Sequence, residues 1–136
     1  MDPARSAYEE VYVYTMGRPG FILQHVADAF TVQTATPKIK PIALVFGLAG
    51  LYLHLEKNFS GRQVQKMHMK MARFKRVWPT LPLPEDRGGF SVLDVLAAVP
   101  GPARDRAIDV WCRSVWSAFA GARPAIVSLL REYDIR

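Results

Sequence analysis

Residues 41–55 carry no formal charge and are interrupted only by Gly47, Gly50 and His54. A segment this apolar on every side is stable in water only when neighbours cover all of it. It is also shorter than the roughly 20 residues needed to cross a bilayer. The expectation is therefore a central helix, running from Pro41 to about Lys57, wrapped by other helices. With 136 residues, half of them hydrophobic, the chain is long enough for one real core and short for two. An all-α, single-domain helical bundle over residues 1–136 follows.

Punctuation by proline, glycine and capping residues divides the rest into helices. Val11-Tyr12-Val13-Tyr14 has the composition of a strand, yet Tyr8, Val11, Tyr12 and Thr15 also form a helical stripe, and a short helix is expected there. Gly17-Arg18-Pro19-Gly20 reads as a turn, with Pro19 suited to opening a helix over residues 21–34 whose inner face is Ile22, His25, Ala29 and Val32. Ser60-Gly61-Arg62-Gln63 is a capping box, since serine hydroxyl and glutamine side chain can each satisfy a free amide at a helix start. The helix it opens should bury Val64, Met67, His68, Met71 and Trp78, with an extended loop over residues 79–89. Ser91 and Asp94 form a second capping box. Pro102 should open a helix buried through Ile108, Trp111, Cys112, Val115 and Phe119. Gly121 and Pro124 should separate it from a last helix containing Ile126, Leu129, Leu130 and Tyr133.

The single cysteine, Cys112, rules out a disulfide within the chain, and a small buried thiol is its expected role. No basic stretch followed by an apolar run marks the N-terminus as a signal peptide, so the expected compartment is the cytoplasm, with no membrane partner. Charge is concentrated. Arg62, Lys66, Lys70, Arg73, Lys75 and Arg76 follow Ser60 with no acid before Trp78, which equals the net charge of the whole chain, +6.

His25, His54 and His68 are the only histidines, and each falls on the apolar side of a different expected helix. A buried imidazole needs a partner for each ring nitrogen, so three converging rings imply either a metal site or a polar network. The short link over residues 58–60 makes the second and third of these helices an antiparallel pair. Side chains lean toward their own helix N-termini, which should bring His54 and His68 together. Gly47 and Gly50, on the same face as His54, leave a hollow or permit close helix approach. Asp28 lies one turn from His25, as a fourth ligand, an orienting partner or a base acting on bound water.

The runs Phe21-Ile-Leu-Gln-His-Val-Ala-Asp-Ala-Phe30 through Gln33, Gly50-Leu-Tyr-Leu-His-Leu-Glu56 and Gly61-Arg-Gln-Val-Gln65 with Met67-His68 resemble a bacterial family of small helical proteins of unknown function. Trp78-Pro79, residues 89–98 and Ser114-Val-Trp116 extend the resemblance over nearly the whole chain. It implies a small helical cytoplasmic protein in which the three histidines and Asp28 belong to recurrent motifs. Leu23 stands where members often carry a further histidine.

The functional expectation is a metal-dependent enzyme acting on a small anionic substrate. His25, His54 and His68 would hold zinc, iron or manganese, Asp28 would serve as catalytic base, and Arg62, Lys66, Lys70 and Arg73 would attract the anion. The alternative is a binding module. In it the basic helix, flanked by Phe74 and Trp78, contacts nucleic acid, or surplus aromatics such as Tyr8, Tyr12, Tyr14, Trp111 and Trp116 join two copies into a homodimer.

Overall fold

A computed structural model describes residues 2–134, which form seven α-helices and no strand. They are α1 (Pro3–Met16), α2 (Leu23–Gln33), α3 (Pro41–Lys57), α4 (Gly61–Ala72), α5 (Val92–Ala97), α6 (Pro102–Ala118) and α7 (Arg123–Glu132). Short 3₁₀ turns, Pro19–Phe21 and Ala120–Ala122, precede α2 and α7.

The stretch of strand-like composition is helical. Asp2 caps α1 by accepting from the Ala4 amide, Pro3 occupies its first turn, and Ala7, Val11 and Thr15, four residues apart, are its buried row. That row packs on α2 and α5. Here tertiary burial overrides the β preference of valine and tyrosine.

Helices α2 and α3 form the centre. α3 is buried from Leu44 to Leu53 with Phe46 alone half-exposed. α2 is covered by α1, α3, α4 and α6 and buries His25, Val26, Asp28, Ala29, Phe30 and Val32. The two approach closely because Gly47 faces Val32 and the backbone of Asp28, while Gly50 lies directly beneath the Asp28 carboxyl group. Of the two roles open to these glycines, close helix approach is the one found, and no hollow is left beside them.

Asn58, in the left-handed conformation at φ 57°, ends α3, and the Phe59 amide returns to the Leu53 carbonyl. Ser60 and Gln63 then make the reciprocal capping box that starts α4 at Gly61. α4 stops at Ala72, short of the expected Trp78. Arg73, Lys75 and Arg76 follow with no acid among them, and Arg76 pairs with Glu132 of α7 at 2.9 Å. Aromatic contacts then redirect the chain: Phe74 packs on Tyr133 and Trp78 sits edge-on to Phe46.

The extended segment that follows is held by two side chains. Gln33 donates to the carbonyls of Arg87 (3.1 Å) and Phe90 (2.8 Å) and accepts from the Trp111 indole (2.7 Å). Arg87 donates back to the carbonyls of Gln33 and Ala35. The Ser91–Asp94 capping box is formed, and α6 buries Ile108, Trp111, Cys112 and Val115, with Phe119 beyond its end. Glu56 ties three helices by accepting from Trp116 of α6 and Arg123 of α7. Trp111 and Trp116 are therefore core residues, Tyr8 stacks on Phe30, and Tyr14 bonds to Asp105, so these rings serve the fold.

Candidate functional site

Where the start of α2, the end of α3 and the outer side of α6 meet, an open cleft of about 520 Å³ is lined by His25, His54, Asn58, Gln63, Arg106 and Asp109 among others. His25 and His54 lie face to face in it, with ring centroids 3.5 Å apart and planes 14° from parallel. The expectation that histidines from different helices meet is met by this pair, although the partners are α2 and α3.

His54 is fixed at both nitrogens. Nδ1 lies 3.1 Å from the Phe59 carbonyl and Nε2 lies 3.2 Å from Oδ1 of Asp109. Because a backbone carbonyl only accepts, Nδ1 carries a hydrogen. The second partner is a carboxylate, so the neutral ring satisfies one acceptor and the imidazolium both. Arg113 contacts the other oxygen of Asp109 at 3.4 Å, leaving that carboxylate partly open to the cleft.

His25 is 3% exposed, and its Nδ1 has no hydrogen-bond partner among the described residues. Burial, reinforced by the charge of His54, lowers its pKa to about 3. The ring is neutral across the physiological range. Beneath it, the Cys112 thiol donates to the His25 carbonyl at 3.7 Å, and burial pushes that thiol up, away from thiolate chemistry.

His68 does not join them. Its Nε2 donates to the Phe46 carbonyl at 2.7 Å and its ring stacks on Phe46 at 5.2 Å. Burial lowers its pKa, and the bond to Phe46 opposes that shift. Phe46 and His54 are eight residues apart on α3, about 12 Å along the axis and off to another side of the helix. The inclination of side chains toward their helix N-termini is too small to close that gap. Among the described residues, no group of three His, Cys, Asp or Glu side chains is placed to hold a metal ion. Even the stacked pair is unsuited as it stands, since a nitrogen lone pair lies in its ring plane and two near-parallel planes share no nearby point about 2 Å from both nitrogens.

Asp28 is also displaced from its expected role. It accepts from Gln24 Nε2 at 3.0 Å, its other oxygen lies over Gly50 without a partner, and it does not line the cleft. Burial raises its pKa well above the usual carboxylate range, which favours the neutral acid at this place between the helices.

Of the basic stripe, Lys66 and Arg73 are exposed and Lys70 is half-buried. Arg62 lines a concave surface, its guanidinium lying 4.1 Å from the centre of the Phe21 ring. Two functional candidates escaped the sequence reading. Asp109 orients His54, and Arg18 is held by Asp105 through bonds of 3.1 and 2.6 Å. The available signal was the spacing of Asp105 and Asp109, one turn apart beside the apolar stripe of α6.

A family model described as a family of unknown function, DUF5946, matches residues 5–120. The chain belongs to that family. No curated protein and no solved structure matches it. In this member of DUF5946, several residues that carried the resemblance are architectural: Gln33 fastens the extended segment, Glu56 joins α3 to α6 and α7, and Gln63 caps α4. His25, His54 and Gln63 also line the cleft. No described helix is long and apolar enough to cross a membrane.

Proposed function

We propose that the cleft is an active site for general acid–base chemistry on a small polar substrate, with the His54–Asp109 pair as the proton-transferring group. The supporting observation is an imidazole oriented by a carboxylate at one nitrogen and a carbonyl at the other, at the edge of an open cavity. Both His54 nitrogens are engaged, so the half-exposed Asp109 carboxylate is the group of the pair that meets the substrate, and the ring holds it in place. Neutral His25 supports the face of the ring and excludes water from it. Arg106, exposed and in no ion pair among the described residues, and the Asn58 amide supply substrate contacts.

The enzyme and the small-molecule partner expected from the sequence are retained, with proton transfer assigned to the His54–Asp109 pair and the substrate-facing atom on Asp109. The nucleic-acid alternative has less support. Trp78 and Phe74, the rings that would stack on bases beside the basic stripe, are packed on Phe46 and Tyr133.

A panel of small esters, amides and phosphate monoesters, screened by turnover and by amide shift mapping, tests the reading. Hits should perturb resonances of Asn58, Arg106 and Asp109, and His54→Gln should lower turnover roughly 10²–10⁴-fold with unchanged circular dichroism. Zinc, iron and manganese should leave the melting temperature of tag-free protein unchanged. Turnover surviving in His54→Gln, or a strong stabilisation by one of these ions, would sink the proposal.

A further inference from the structure

Beside the cleft lies a second hollow of about 430 Å³, between the end of α1, the Pro19–Phe21 turn and the start of α4. Gly20 and Ser60 line both, so the two cavities share a rim. The second hollow differs in charge, since its lining includes Arg18 and Arg62 and no acidic side chain.

We propose that this hollow binds the phosphate group of a small phosphomonoester whose remaining part reaches the His54–Asp109 pair in the neighbouring cleft. The inference rests on the acid–base reading of that cleft for the reacting end of the molecule, while the anion site stands on its own geometry.

The two guanidinium groups are prepared in different ways. Asp105 bonds Nε and Nη2 of Arg18, fixing the group while leaving Nη1 free of those bonds. The Arg62 guanidinium carbon sits 4.1 Å from the centre of the Phe21 ring, and among the described residues no carboxylate pairs with it. A cation stacked on an aromatic face keeps its edge donors available, and the guanidinium edge matches two phosphate oxygens. The Ser60 hydroxyl accepts from the Gln63 amide and retains its own hydrogen to donate. Met16 and Leu23 supply the apolar part of the lining.

Of the basic stripe on α4, Arg62 is the member that lines this hollow. Arg62 is the first basic residue after the cap and falls at the hollow, whereas Lys66 lies one turn further along α4 and does not line it. The site also gives a role to Arg18, whose ion pair with Asp105 joins the wall of one cavity to the wall of the other.

Titration with inorganic phosphate at low salt, followed by amide and arginine Nε–H shifts, tests the assignment. Saturable shifts are expected at Gly20, Phe21 and Arg62. Arg62→Gln should weaken binding tenfold or more with unchanged circular dichroism, and Lys66→Gln, outside the hollow, should change it less than twofold. Absence of saturation would overturn the assignment, as would equal losses in both variants, which would show diffuse charge, or acetate binding as tightly as phosphate. His54→Gln separates the two readings. Phosphate binding should persist in that variant: unchanged turnover with phosphate still bound removes the acid–base role and leaves the anion site, while turnover lost in that variant with no saturable phosphate binding in the parent protein does the reverse.

Discussion

Gly61→Ala is expected to lower stability by about 3–4 kcal/mol and the melting temperature by about 10 °C. On local grounds the opposite sign is expected, because alanine favours a helix over glycine by about 1 kcal/mol. The difference lies in what a side chain would meet. A Cβ at position 61 would overlap the Phe21 carbonyl oxygen, with the Phe21 carbonyl carbon 2.7 Å away and the Gly20 oxygen 3.2 Å away. These are backbone atoms, and Phe21 is already in the left-handed region at φ 52°, where a side chain is strained. The turn therefore cannot yield cheaply. Gly121→Ala is the control, since nothing lies within 4 Å of its added methyl group, and it should be neutral or slightly stabilising. Thermal unfolding of both variants checks the pair. Equal melting temperatures would show that α4 does not pack against this turn in solution.

Gly61 also shows which features the sequence disclosed. The capping box marked it as the start of α4, because that motif is written in four consecutive residues and satisfied locally. Its close approach to Phe21 depends on where a distant turn comes to lie, and no periodicity encodes that. The same division holds elsewhere. α3, the Ser91 cap and the buried stripe of α6 were legible because each repeats a short-range rule. The end of α4 was not, since Phe74 and Trp78 leave the helix to reach Tyr133 and Phe46.

The candidate site divides in the same way. Apolar faces placed His25 and His54 inside the bundle, and the structure stacks them. Which rings would share one point was a question of axial depth and rotation, and there His68 went to Phe46 while Asp109, from a helix some fifty residues later in the chain, reached His54. Gly50 allowed either a space beside a histidine or a close helix contact. Asp28 occupies that space.

That occupation fixes how stability should depend on pH. Native His25 takes a proton only near pH 3, whereas in the unfolded chain it does so near 6.5. The unfolded state therefore binds more protons as pH falls from about 6.5, and folding loses stability across that window, by about 2 kcal/mol at pH 5 and about 4 kcal/mol near pH 3. His68, lowered in the same direction, adds to the loss. Asp28 acts with the opposite sign. Its native carboxyl stays protonated while the unfolded chain releases that proton near pH 4, so its favourable contribution is complete below pH 4 and is lost as pH rises. Asp28→Asn, which retains a neutral group of the same shape, should thus raise the denaturant midpoint at pH 7 and leave it little changed at pH 3.5. His25→Phe should flatten the fall between pH 6.5 and 4. Urea titrations of the three proteins at four pH values provide the measurement. An Asp28→Asn variant less stable than the parent at pH 7 would mean that Asp28 is ionised and partnered, and would restore it as a group able to act as a base.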